Sequence, residues 1–177
     1  KLRADADLAG VVVTSGTDTL EELAYFLHLT VRDARPVVIV GSMRNPSTTG
    51  YEGVANLEDA FVVAADPASK GMGALVVLND EINSAREVTK TDARSLDTFS
   101  SRDYGVLGTI YDRVQYFRKP VRRHTADSEF DVAAITALPR VFRVGAKSSE
   151  VSAWLQTYLR IRLSERGEDQ PGGACVL

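Results

Sequence analysis

Three aliphatic runs constrain this chain more than any other feature: Val11-Val12-Val13, Val37-Val38-Ile39-Val40 and Ala74-Leu75-Val76-Val77-Leu78. None alternates with polar residues, which is the pattern of strands covered on both faces. Between them the apolar period becomes helical. Leu20, Leu23, Ala24, Leu27 and Val31 fit i, i+3, i+4, i+7 spacing and predict a helix over Asp18 to Val31. A second helix is expected from Val54 to Ala65, closed by Asp66-Pro67.

Strands are expected over Gly10–Thr14, Pro36–Gly41 and Ala74–Leu78, so the order is strand, helix, strand, helix, strand. That order predicts an α/β fold, a mostly parallel sheet flanked by helices in the Rossmann or flavodoxin manner. After Asn79 the pattern changes. Asp80 to Ser101 is polar and reads as an extended strand followed by a long functional loop. Gly105 to Phe117 predicts a β-hairpin turning at Asp112-Arg113. Further on, a weak helix or loop over 126–137, a strand near Pro139–Val144, an amphipathic helix through Val151, Trp154, Leu155, Tyr158 and Leu159, and a frayed tail from Ser164 to Gly173 are expected. The domain expectation is an α/β unit over 1–141 and a divergent segment over 142–177.

Composition excludes several classes. The net charge of −3 gives no general attraction to nucleic acid or anionic membrane. A single cysteine, Cys175, allows no intrachain disulfide and no cysteine metal cluster. No run reaches the ~18 apolar residues of a membrane helix. Neither a Gly-Lys-Ser/Thr phosphate loop nor a dinucleotide fingerprint occurs, because Gly71-Met72-Gly73 precedes a strand instead of following one. The basic cluster Phe117 to His124 reads as a solvated hairpin exit more readily than as a phosphate patch, and His28 as a surface or boundary histidine.

The chemistry-bearing stretch is the first strand-to-helix turn, Thr14-Ser15-Gly16-Thr17-Asp18-Thr19. Such turns, beyond the carboxyl ends of parallel strands, are where ligands bind in α/β sheets. Two accounts stand side by side. Thr19-Leu20-Glu21-Glu22 fits a capping box, which gives the turn a purely structural task. Thr17 precedes that cap and is left for chemistry. A threonine hydroxyl needs a base or a local positive charge to act as a nucleophile. Lys90 could supply it, with Asp18 orienting the lysine or holding a substrate ammonium group. In a parallel sheet the ends of all three strands share one edge, bringing Thr17, Asp18, Ser42 and the loop carrying Lys90 toward one crevice.

Gly10 to Glu22 resembles the second threonine signature of the bacterial-type L-asparaginase/glutaminase family. Further matches follow in order: Ala24–Leu27, Pro36–Arg44, Gly53–Leu57, Ala64–Pro67, Val76–Asp80, Arg86–Thr91, Ser95–Phe99, Tyr104–Gly108, Arg122–Thr125 and Phe130–Val132. The resemblance implies hydrolysis of the side-chain amide of asparagine, and often glutamine, to the acid and ammonia, with no metal or cofactor. It implies an assembly of four protomers as a dimer of dimers, acting on a small amino-acid amide, with no nucleic acid or membrane partner. Carried over by position, Thr17, Asp18 and Lys90 would be catalytic, and Gly16, Thr17, Asp18 and Ser42 would hold substrate.

Three departures from the family pattern shape the expectation. A Thr-Gly-Gly-Thr strand, which in the family carries the threonine usually assigned as nucleophile, does not occur in these 177 residues. Ser15 stands where the family usually has histidine, and the match dissolves after Val141. The chain is therefore expected to hold about the middle half of such an enzyme, and to self-associate through an unpaired sheet edge. Three readings follow: an asparaginase-type amidohydrolase, a catalytically incomplete remnant acting by binding or assembly, and the related amidase subunit of a tRNA-dependent amidotransferase. The family has cytoplasmic and exported members, with a soluble, cytoplasmic location the default expectation.

Overall fold

The computed structural model describes residues 2–121, 130, 132, 142–143 and 175–176. Two units divide at Val132/Ala133. In the second, the strands Phe142–Arg143 and Cys175–Val176 pair in parallel. Of the expected segment over 126–137 only Phe130 and Val132 are described; the segments over 151–159 and 164–173, and His124, lie outside the described residues.

The first unit is built on a six-stranded sheet. In chain order its elements are β1 (Val11–Thr14), α1 (Leu20–Thr30), β2 (Val37–Val40), α2 (Gly53–Ala65), β3 (Ala74–Leu78) and β4 (Glu81–Ser84). A two-residue-strand ribbon, β5 (Thr89–Lys90) with β6 (Phe99–Ser100), follows, then the hairpin β7 (Gly108–Ile110) and β8 (Val114–Tyr116). The sheet order is β1-β2-β3-β4-β7-β8. The first three strands are parallel and the last three antiparallel, so the sheet is mixed. The switch lies at Asn79-Asp80. Both residues have positive φ, 55° and 59°, the sign pattern of the tight turn that matches strand twist. This two-residue turn sends β4 straight back along β3, with Leu78 opposite Glu81.

The core explains the unbroken aliphatic runs. All of β2 and β3 is buried. Val38, Val40, Leu75 and Val77 face Ala60, Val63 and Ala64 of α2. Val37, Ile39, Ala74, Val76 and Leu78 face Leu20 and Ala24 of α1. Each large aliphatic side chain so enclosed contributes about 1.5–3 kcal/mol.

This division has a topological consequence. β1, β2 and β3 step across the sheet in one direction, yet α1 and α2 cover opposite faces. The two crossovers therefore have opposite hands, and one is left-handed, against a near-universal preference for the right hand. At the carboxyl ends of β1 and β2 the chain leaves toward opposite faces, and a crevice opens between them, as expected at a topological switch point.

Two sequence expectations are corrected. The capping box at Thr19 and Glu22 does not form: Thr19 makes no side-chain cap bond, and its ψ of 16° departs from the extended conformation that aims a capping hydroxyl at the helix. His28 is no surface or boundary residue, being only 1 % exposed. It continues the buried i, i+4 row of Leu20 and Ala24.

Candidate active site

The crevice is a cleft of about 290 Å³. One wall is Thr14, Ser15 and Gly16 from the end of β1, the other Val40, Gly41 and Ser42 from the end of β2, with Tyr51, Gly53 and Leu57 closing the α2 side. Gly41 lets the walls approach. A side chain there would meet the Ser15 carbonyl at 2.6 Å and the Thr17 methyl at 3.3 Å. Gly16 is exposed with open space beside it, so a ligand can lie against its backbone. Ser42 borders the cleft and its hydroxyl donates to the Arg44 carbonyl at 3.2 Å.

Next to Gly16 stands the polar cluster. The Lys90 Nζ donates to Thr17 Oγ1 at 2.9 Å and to Asp18 Oδ1 at 2.8 Å. The lysine side chain is 17 % exposed, the aspartate side chain 95 %. The ammonium thus sits sheltered, while the Asp18 carboxylate faces solvent and can take a second cation. The hydrogen bond and charge of Lys90 hold the Asp18 carboxyl below its ordinary value. Thr17, Asp18 and Lys90 are therefore together, as the sequence predicts; none of the three lines the cleft, which Gly16 and Ser42 border.

Three supporting residues were not singled out from sequence. Glu21, in the first turn of α1, accepts the backbone N–H of Lys90. Glu52, just before α2, accepts the backbone N–H of Met43 and, at 3.4 Å, that of Arg44, so it fixes the loop after Ser42. Asn56, 3 % exposed, donates from Nδ2 to the Gly41 carbonyl at 3.0 Å and accepts the Asn79 N–H at 3.1 Å. It ties the ends of β2 and β3 together. A signal existed for Asn56 alone: it occupies the apolar face of α2 four residues before Ala60, and a buried amide must find partners.

The basic cluster is structural where it is described. Arg118 pairs with Glu87, whose side chain is 4 % exposed, and also donates to the Gly105 carbonyl. Among the described residues no group of histidine, cysteine and carboxylate side chains could hold a metal ion. No helix among them is long and apolar enough to cross a membrane.

Comparison with known proteins agrees with this architecture. Residues 1–122 match the family profile described as Asparaginase, N-terminal. The chain is 51 % identical over 140 residues to L-asparaginase 2 of Bacillus subtilis, covering 79 % of this chain and 37 % of that protein. It is 48 % identical over 143 residues to L-asparaginase 2 of Escherichia coli, covering 80 % and 41 %. It is 44 % identical over 142 residues to the glutaminase-asparaginase of Pseudomonas fluorescens, covering 80 % and 39 %. The chain thus spans about two fifths of the length of these curated relatives. On the match over residues 1–122, the chain belongs to the asparaginase family and carries its N-terminal domain.

Proposed function

We propose that Thr17, Asp18 and Lys90 form part of a site that hydrolyses the side-chain amide of asparagine, and of glutamine as a second substrate. The observation that carries this is the placement of the Lys90 ammonium on both the Thr17 hydroxyl and the Asp18 carboxylate, bridging 73 residues of chain. A buried or half-buried lysine beside a hydroxyl is the arrangement that activates a weak oxygen nucleophile. The names of the relatives, L-asparaginase and glutaminase-asparaginase, point to the same substrates.

In the proposed reaction a hydroxyl oxygen bonds to the amide carbon. The carbon–nitrogen bond breaks, and the nitrogen leaves as ammonia with the proton taken from the hydroxyl. Water then cleaves the acyl ester, releasing the acid and restoring the hydroxyl. Lys90 stabilises negative charge growing on Thr17, or on a water that Thr17 polarises. Asp18, whose carboxylate faces solvent, binds the substrate α-ammonium, and Ser42 and Gly16 border the space for its body. The family resemblance adds the assembly, a homotetramer arranged as a dimer of dimers.

A second reading rests on one sequence fact. No Thr-Gly-Gly-Thr strand occurs in the 177 residues, so the chain would bind substrate or assemble without turnover. Ammonia release from asparagine and glutamine decides. The proposal expects release by the chain, alone or supplemented with a segment bearing Thr-Gly-Gly-Thr, with Thr17→Ala and Lys90→Met each lowering kcat by roughly a hundredfold or more. Undiminished release in both variants would overturn the assignment. Absence of release under either condition leaves the binding reading standing in its place.

A further inference from the structure

We propose that Glu21 is the positioning residue that fixes the Lys90 ammonium on the Thr17 hydroxyl. The inference builds on the amide-hydrolase reading but concerns a residue which that reading leaves without a task.

The local geometry of β5 and β6 makes the case. In this ribbon Lys90 stands opposite Phe99, and the next residue, Thr91, donates its N–H inward to the Thr98 carbonyl at 2.8 Å. Neighbouring N–H groups along a strand point to opposite sides. The Lys90 N–H therefore points away from β6 and needs an acceptor elsewhere. Glu21 supplies it with a carboxylate oxygen.

The acceptor comes from a significant place. Glu21 is the second residue of α1, directly after the turn that carries Thr17 and Asp18. Lys90 is thus held twice by one short stretch of chain: its backbone by Glu21, its side chain by Thr17 and Asp18. Val88 and Phe99 give the ribbon an apolar seat on the α1 side of the sheet, but such packing does not fix register to an ångström.

Charge adds to the argument. The amino end of α1 carries a partial positive charge. That charge opposes the Lys90 N–H and the Lys90 ammonium, and three carboxylates stand against it: Asp18 in the turn, and Glu21 and Glu22 in the first turn of α1. Glu21 offsets part of that repulsion, and an N–H bond to a charged acceptor is stronger than one to a neutral acceptor. An N–H···O bond weakens steeply outside about 2.7–3.2 Å, so a shift of the ribbon by about an ångström would detach Nζ from Thr17.

The test reads Lys90 directly. Backbone amide exchange is followed by NMR, and lysine acylation by an N-hydroxysuccinimide acetate ester is followed by peptide mass spectrometry. In Glu21→Ala the Lys90 amide should exchange, and Nζ should acylate, roughly ten- to a hundredfold faster, the range set by a hydrogen bond to a charged group. Lys70 and Lys119, both exposed, serve as internal references and should be unchanged. Glu21→Gln keeps an acceptor and guards against misfolding; it should fall between the wild type and Glu21→Ala. Where ammonia release is measurable, kcat should fall with KM nearly constant. Wild-type exchange and acylation at Lys90 in Glu21→Ala would overturn the proposal. So would a uniform rise in exchange across β1, β2 and β3, which would make Glu21 a residue of general stability. Failure of the wild type to release ammonia would count against amide hydrolysis alone, because the exchange and acylation results still decide the role of Glu21.

Discussion

Two titratable side chains outside the site show how burial sets the acid response. His28 is enclosed between α1 and the sheet, and burial lowers its pKa from 6.5 to about 4, with the positive charge of Arg86 acting in the same direction. A backbone hydrogen bond with Ala74 and the charge of Glu87 oppose that shift. Asp59 on α2 moves the other way, from 3.8 to about 6, through burial and the nearby charges of Asp80 and Glu58. The signs are opposite in one window. Between pH 6.5 and about 4 the unfolded chain binds a proton at residue 28 that the folded chain refuses, so stability falls as pH falls. Between about 6 and 3.8 the folded chain binds a proton at Asp59 that the unfolded chain does not, so stability rises as pH falls. The His28 effect reaches about 3 kcal/mol at most. Asp59 is partly open to solvent, and screening reduces its effect to about 1 kcal/mol. Urea denaturation should show Asp59→Asn more stable than wild type by about that amount at pH 7.5, and equal to it near pH 4. Asp59→Asn should also lose stability more steeply than wild type on acidification, since Asp59 no longer opposes the His28 effect. The polarity of His28 suggests a surface position, but the spacing of four from Leu20 to Ala24 to His28 marks an inward one.

At the scale of elements, the carboxyl ends of β2 and β3 are joined by a single side chain. Asn56 reaches from α2 to the Gly41 carbonyl and the Asn79 N–H, one on each strand end. Asn56→Ala leaves both backbone groups without that partner. The expected loss is about 2–4 kcal/mol by urea denaturation, since stranding a buried polar group costs more than a hydrogen bond contributes. Asn56→Asp keeps the acceptor for Asn79 but sets a carboxylate against the Gly41 carbonyl, so it should recover only part of that loss. An unchanged urea midpoint in Asn56→Ala would show that the clamp carries no stability. The strands and helices themselves were legible, because unbroken aliphatic runs and a 3.6-residue period are local signals. So was the meeting of Thr17, Asp18 and Lys90, though through ordered resemblance more than through spacing; nothing local tells a tethered lysine from a solvated one. Glu21 was not legible. A carboxylate in the first turn of a helix has an ordinary task at the helix dipole, and only the fold reveals that its oxygen instead serves a strand 69 residues away.

For the whole molecule, sequence order gave the succession of β1, α1, β2, α2 and β3, but the hand of each crossover emerged only in three dimensions. No residue pattern distinguishes a helix that will cover one face from a helix that will cover the other, since both present a single apolar stripe. The opposed crossovers are what open the cleft between β1 and β2. Because β1, β2 and β3 step in one direction, β1 stands at the end of the sheet, paired with β2 alone among the described residues. Its three valines are only half-buried, in contrast to the wholly buried β2. An aliphatic strand with one free row of N–H and C=O groups is a template for pairing with another chain. The 177-residue chain is therefore expected to associate with itself as concentration rises, measured by light scattering. Val12→Pro tests the edge as the cause. Val11 and Ser15 donate toward β2, to Pro36 and Val40, so the alternation of the strand turns the Val12 N–H outward. Proline there removes an edge donor and no bond to β2, the setting in which strands tolerate it. The variant should scatter as a smaller species while keeping the far-ultraviolet circular dichroism of the wild type. Equal scattering by the two proteins would place the contact elsewhere, on the exposed Val54, Phe61 and Val62 of α2. In that case Phe61→Glu should disperse the assembly where Val12→Pro does not.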